Sequence, residues 1–233
     1  MSDMVPNSKH FVVAVTLAKP GGAQTFVLQL ATFLKARGHR VTVIAGEGDW
    51  LNQRCEEAGI DLRRVPELGR EIHPWKDFLA TRELHRLFSE LRPDAVHLNS
   101  SKMGVIGSIA AKLSLVPRIA YCIAGWSFLE NLSWLKKHIY IFAERYSAAY
   151  RDAIICLHEG DREAATHLRI RGSEETRIIP NGIDLIQLDQ ERHSREEARR
   201  LLGLSLDRYV FGTIGHFYPA KDLPRYLEAC AIV

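Results

Sequence analysis

Short apolar runs and longer amphipathic stretches alternate along most of this chain. The run HFVVAV (10–15) is apolar almost throughout, the pattern of a buried strand. The segment after it, AQTFVLQLATFLKARG, puts Phe26, Val27, Leu30, Phe33 and Leu34 on one helical face and offers Gly38 as the residue past its end. RVTVIA (40–45) predicts a second strand, WLNQRCEEAG a helix closed by Gly59, and IDLRRV a weaker strand. A helix over 75–93, stopped by Pro93, leads to a strand at DAVHLN (94–99). The helix MGVIGSIAAKLSLVP, the strand RIAYCI (118–123) and the long helix LSWLKKHIYIFAERYSAAY follow. The strand DAIICL (152–157), the helix GDREAATHLRI and the strand TRIIP (176–180) close the series.

Strands separated by helices imply right-handed crossovers, hence a Rossmann-like α/β domain: a parallel sheet with helices on both faces. That domain is expected over 1–185. Polar residues gather at 187–200, so 186–208 reads as a linker running into a helix. YVFGTIG (209–215) predicts a fresh strand, and a helix follows from Asp222. Its apolar spacing runs on without a Gly, Asn or Pro terminator, so 209–233 is expected to be only the first strand and helix of a truncated second domain.

Composition narrows this picture little. The 233 residues are 46% apolar and 25% charged with net charge +3, ordinary values for a soluble globular chain. The basic residues are scattered, which by itself is neutral on nucleic acid, and no nucleic-acid partner is expected. Cys55, Cys122, Cys156 and Cys230 form no CxxC pair and read as reduced thiols of a cytoplasmic protein. The start, MSDMVPNSK, has no apolar signal-peptide core, and no apolar run is long enough to span a membrane. The histidines show no metal-ligand spacing, so neither a metal nor a cofactor is expected. One segment reads either as core or as lipid-facing, since helical amphipathicity is the usual sign of packing in the core. Trp126, Phe128, Leu129, Trp134 and Leu135 lie beside Lys136, Lys137 and His138, the mixture a peripheral contact at the inner membrane face would need.

Doubly wound sheets bind ligands beyond the carboxyl ends of their strands, so chemistry is sought there. After the first strand, Gly21 and Gly22 let the backbone pass close to a ligand ahead of a helix N-terminus, with Gln24 in the same loop. The loop is not GxGxxG, which argues against an NAD-dependent oxidoreductase. After the strand at 94–99 come Asn99, Ser100, Ser101 and Lys102, a polar run in which helix capping accounts for one serine. His97, inside that strand, reads as a structural histidine. Asn181, Gly182 and Asp184 form a turn after the strand at 176–180, and His216 and Lys221 could grip a diphosphate after 209–215. The stretch YCIAGWSF (121–128) is the odd one. Its strand ends at Ala124-Gly125 with two exposed-looking aromatics, Trp126 and Phe128, and nothing at the turn moves a proton.

In their order, the segments PGGAQTF, PDAVHLNSSKMG, AGWSF, IICLHEGDRE, IIPNGID and FGTIGHFYPAKDL resemble retaining GT-B glycosyltransferases of family 4, nearest the polysaccharide-biosynthesis branch. The resemblance implies the N-terminal, acceptor-side half of a two-domain enzyme. That enzyme would pass sugar from a nucleotide-sugar donor to a glycan or lipid-linked acceptor. It implies donor phosphates near Gly21 and Gly22, a cleft lined by Asn99 to Lys102, a hinge-side loop at Asn181, Gly182 and Asp184, and a diphosphate held by Lys221. In this family the turn after the 118–123 strand typically reads His-Gly-Trp; here Ala124 stands in the histidine's place, beside Gly125 and Trp126. His216 stands where an arginine is usual, and the family's Glu-x7-Glu motif would lie beyond this segment. Two readings follow: half of an active transferase, inactive in isolation, or a degenerate homologue that binds a glycan, a nucleotide sugar or a partner protein.

Overall fold

The computed structural model describes residues 8–174, 176–183, 185–190, 192–215 and 222–232. It divides into two compact units, 1–181 and 182–233. In the first, the strands are β1 (His10–Val15), β2 (Arg40–Ala45), β3 (Asp61–Arg64), β4 (Ala95–Asn99), β5 (Ile119–Ile123), β6 (Ala153–Cys156) and β7 (Arg177–Ile178). They form one sheet in the order β3-β2-β1-β4-β5-β6-β7. Every ladder is parallel, so the expected Rossmann-like sheet is the one observed. The helices between them are α1 (Gly22–Ala36), α2 (Trp50–Glu57), α3 (Pro74–Leu91), α4 (Ser101–Leu113), α5 (Trp134–Ala148) and α6 (Glu159–His167), with a 3-10 turn at Ser127–Leu129 before α5.

Two cores follow from the two-residue period of a strand. Val13 and Val15 of β1 point to one face, where they pack with Val27 and Ala31 of α1 and Leu51 and Cys55 of α2. Val12 and Ala14 point to the other, joining Leu84 and Phe88 of α3, Met103 and Ala110 of α4, and Ile154 of β6. Strand order reverses direction between β1 and β4, and their following helices cover opposite faces. The crevice beyond their carboxyl ends is therefore the topological switch point.

The second unit holds α7 (Leu185–Gln190), α8 (Arg195–Leu201) and α9 (Leu223–Cys230). Ser194 caps α8 by accepting from the Glu197 amide at 3.2 Å. The strand expected at 209–215 is not formed: those residues are exposed and join no ladder. A strand is made by its neighbour's hydrogen bonds, and none of the described residues of this unit supplies one. The final helix, expected to run on, ends at Cys230 with Ala231 at its C-cap.

Candidate functional site

At the switch point the exits of β1 and β4 are joined directly. The Thr16 amide donates to Ser100 Oγ at 3.2 Å, and the two hydroxyls lie 2.5 Å apart. Ser100 holds a left-handed backbone (φ 74°), a strained conformation for a residue with a side chain. Ahead of α1, Gly21 is extended (φ 170°), so no glycine is demanded there by the backbone. A Cβ on Gly22 would meet nothing within 4 Å, and one on Gly21 only the Gln24 side chain. The pair therefore leaves open room before a helix N-terminus whose amides favour anions. Gln24 braces the loop by donating to the Leu17 carbonyl at 2.9 Å.

The polar run after β4 is arranged otherwise than its sequence suggests. Asn99 is buried, and its Nδ2 donates to the Ala14 carbonyl at 3.1 Å and faces His97 Nδ1 at 3.2 Å. Neither serine caps α4 through its side chain. Ser100 serves β1 instead, and Ser101 Oγ accepts from Ser127 Oγ at 2.7 Å. Lys102 is not a free cation: Nζ pairs with Asp77 of α3 at 2.7 Å and also donates to the Glu71 carbonyl, leaving its side chain only 10% exposed. His97 packs against Phe26 of α1, and loss of solvation lowers its pKa to about 4, so it stays neutral inside the sheet.

The two aromatics expected to be exposed after β5 are buried. The turn folds them back onto the core, where Trp126 stacks on Phe128 at 5.1 Å and its Nε1 donates to the Asp161 carbonyl at 2.8 Å. Ala124 and Gly125, by contrast, are exposed, and Gly125 takes φ 99° with open space where a Cβ would stand. Asn181 and Gly182 are exposed, while Asp184, His216 and Lys221 lie outside the described residues.

Two polar clusters were not anticipated from the sequence. Two residues beyond the paired Ile123 and Cys156 stand Gly125 and His158, so the turn and this histidine leave adjacent strands at the same level. His158 Nε2 lies 3.1 Å from the carboxylate of Asp161, which is buried and held above its ordinary pKa by that burial. The imidazole itself is largely exposed. The second cluster lies between α4 and α5. Arg151, fully buried, donates to Ser108 Oγ at 3.0 Å, the Gly104 carbonyl at 3.0 Å and Ser147 Oγ at 2.7 Å. It pairs with Glu144 at 2.9 Å and covers the Tyr121 ring at 4.2 Å. Burial raises the Glu144 carboxyl, and Arg151 partly offsets this. Glu144 also edges a cavity of about 240 Å³ lined by Ile72, Val105, Phe128 and Ile139. Among the described residues, no group of three or more His, Cys, Asp or Glu could hold a metal ion.

The open ground at this edge of the sheet is the glycine loop ahead of α1 and the turn at Ala124-Gly125, while the β4 exit is engaged by its own partners. A family model described as the glycosyl transferase 4-like domain matches residues 21–182. The chain belongs to that family. The matched region begins at the glycine loop and ends in the Asn181-Gly182 turn, so it takes in the exits of β4 and β5 and starts after β1 and Thr16. Among curated family relatives, the Escherichia coli UDP-Gal:α-D-GlcNAc-diphosphoundecaprenol α-1,3-galactosyltransferase is 30% identical over 91% of this chain and 54% of its own length. The capsular polysaccharide biosynthesis glycosyltransferase CapM of Staphylococcus aureus is 22% identical over 86% of this chain and 52% of its own. The chain thus spans about half the length of the curated relatives it matches. In fold it matches Anabaena HepE, crystallised in complex with UDP and glucose, at a TM-score of 0.65 and 17% identity, over 84% of this chain and 50% of that one. Sucrose-phosphate synthase from Thermosynechococcus elongatus matches at a TM-score of 0.62 and 15% identity, over 85% of this chain and 53% of the other. The sheet described above is the N-terminal half of a GT-B fold.

Proposed function

We propose that this chain is the acceptor-side domain of a retaining glycosyltransferase that moves a sugar from a nucleotide-sugar donor to a lipid-linked or polysaccharide acceptor. The observation that carries the reading is the open glycine loop at Gly21 and Gly22, beside the Thr16–Ser100 bridge at the switch point of a family fold. The donor's diphosphate would meet the amides ahead of α1. The acceptor would approach from the β5 side, past Ala124 and Gly125. The relatives named above, one acting on a diphosphoundecaprenol-linked sugar, support the acceptor class. Asp184 would belong to the hinge-side loop with Asn181 and Gly182, and His216 and Lys221 would grip the donor diphosphate from the other domain.

One feature favours a second reading, a homologue that binds without turning over: the exposed turn at Ala124-Gly125 has no group able to stabilise charge or carry a proton. Ala124→His in the full-length protein separates the two. Ala124 is exposed, so the imidazole has room. In a transferase it should raise kcat/KM toward the low end of the roughly 10²–10⁴-fold worth of such groups, with donor and acceptor defined. No transfer by the parent or the variant, alongside retained nucleotide-sugar binding, would select the binding role.

A further inference from the structure

The β6 exit carries a histidine–aspartate pair that helix capping does not explain. His158 stands just before α6, where a cap belongs, yet its side chain bonds none of the helix's free amides. The ring lies back over the first turn instead, with Nε2 3.1 Å from Asp161 Oδ2. Gly160 leaves the room for it: a Cβ there would stand 3.3 Å from the ring's Nδ1 and Cε1. The imidazole is 66% exposed, but the Asp161 side chain only 2%. Asp161 Oδ2 is buried and meets no other polar partner among the described residues. Burying a carboxylate oxygen is costly unless a partner holds it. On the same turn Glu159 and Arg162 pair in the open, the ordinary surface arrangement. An exposed imidazole backed by a buried carboxylate is instead the arrangement that orients a ring toward a ligand.

Position says where that ligand lies. β6 runs between β5 and β7, so His158 stands between the Ala124-Gly125 turn and the exposed Asn181 turn. The pair is tied to the first of these, because the Trp126 indole donates to the Asp161 carbonyl at 2.8 Å. The open ground at Gly125, bare of polar side chains of its own, is thus bordered by an imidazole from the next strand. Charge says what kind of ligand. Glu159 and Asp161 both occupy the first turn of α6, which disfavours an anion there. With Nε2 turned to Asp161, Nδ1 has no protein partner among the described residues. In the neutral ring it accepts a hydrogen bond from a hydroxyl.

We propose that His158 is a catalytic residue that hydrogen-bonds a sugar hydroxyl at the Ala124-Gly125 opening, with Asp161 as its positioning residue. The ligand class rests on the transferase reading; the hydroxyl belongs to the donor's sugar or to the acceptor's. The experiment treats the full-length protein with diethyl pyrocarbonate, which modifies exposed imidazoles, and follows the His158 peptide by mass spectrometry. The probes, chosen after the relatives named above, are UDP-galactose, UDP-glucose, UDP alone and a GlcNAc-diphospholipid. A nucleotide sugar should slow His158 modification about tenfold if the donor's sugar is met, and the diphospholipid should do so if the acceptor is met. UDP alone should not protect. His158→Gln should lower kcat/KM about a hundred-fold, with thermal melting unchanged because the ring is exposed. Asp161→Asn should lower kcat less, leave KM unchanged and move the acid limb of the pH profile to lower pH. The carboxylate that favours the protonated ring is then gone, and a merely structural carboxylate would not move that limb. Modification that no probe slows would overturn the proposal. So would protection by UDP alone, which would put the nucleotide at the ring, or an unchanged kcat/KM in His158→Gln. A parent that transfers nothing, yet is protected by a nucleotide sugar and not by UDP, would count against the transferase reading and leave the sugar contact standing.

Discussion

Past the end of β4 every side chain from Asn99 to Lys102 is engaged: Asn99 with the Ala14 carbonyl, Ser100 with Thr16, Ser101 with Ser127 and Lys102 with Asp77. Past the end of β5, its neighbour in the sheet, Ala124 and Gly125 are exposed and have no polar side chain to offer. The polar exit is the stitched one and the bland exit is the open one. A run of Asn, Ser and Lys on a strand's exit is therefore poor evidence of ligand contact until its partners are known. Small residues that leave room tell more about where a ligand fits.

The largest expected effect tests how firmly the β4 side is stitched. Arg151 ties α4 to α5 through the Gly104 carbonyl, Ser108, Ser147 and Glu144, all of them buried. Arg151→Ala leaves the Glu144 carboxylate buried without its counter-charge and should cost about 3–5 kcal/mol, read from the urea midpoint. The double variant Arg151→Met/Glu144→Gln, which removes both charges and keeps volume, should lose less than half of that. Equal losses would mean that packing against Tyr121, and not the ion pair, holds α4 to α5.

This comparison also shows what could be read along the chain. Apolar runs such as HFVVAV and RVTVIA became β1 and β2, because local period and apolar content are enough to mark a buried strand. The partners of polar groups were out of reach. Asp77 lies 25 positions from Lys102, and only the packing of α3 on α4 brings them together. Trp126 and Phe128 sit in a turn with no period to place them, so only tertiary packing reveals that they are buried. The segment 209–215 has a strand's composition but no ladder, because pairing depends on a neighbour elsewhere in the chain. His158 and Asp161, three residues apart at a strand-to-helix exit, carry a spacing that is legible in the sequence.

The next effect is intermediate and sharpens the β4 side through pH. His97 is neutral in the fold with its pKa lowered to about 4, against an ordinary 6.5. A histidine so depressed contributes stability that is present above pH 6.5 and is lost as pH falls toward 4, because the unfolded chain takes the proton first. At about 1.4 kcal/mol per unit, roughly 2–3 kcal/mol should vanish across that window. Glu144 and Asp161 act in the opposite sense. Their carboxyls are raised by burial, so their contribution is complete at acid pH and is lost as pH rises through their folded values. His10, also lowered by burial, adds to the acid loss. The His97 part is isolated by difference. His97→Gln, which keeps a partner for Asn99, should flatten the stability profile between pH 6.5 and 4 by the stated amount, while an unchanged slope would assign the acid loss to His10.

The smallest effect belongs to the open side. Gly125 takes φ 99°, where a residue with a side chain is strained, yet a Cβ there would meet nothing within 4 Å. Gly125→Ala should therefore cost only the backbone strain, about 1–2 kcal/mol. Gly46, just past β2, makes the contrast: a Cβ there would overlap the Leu68 carbonyl, so Gly46→Ala should cost more by the same thermal measurement. The pair separates two reasons for a glycine, internal crowding and room left for something else. If the β5 exit receives the acceptor, Gly125→Ala in the full-length protein should reduce kcat/KM by far more than its stability loss explains, at a temperature where the fold is intact. The added methyl would then project into the space a ligand uses. An unchanged kcat/KM in an active protein would make Ala124-Gly125 a corner of the chain and move the search for the reacting groups to His158 and Asp161 on the next strand.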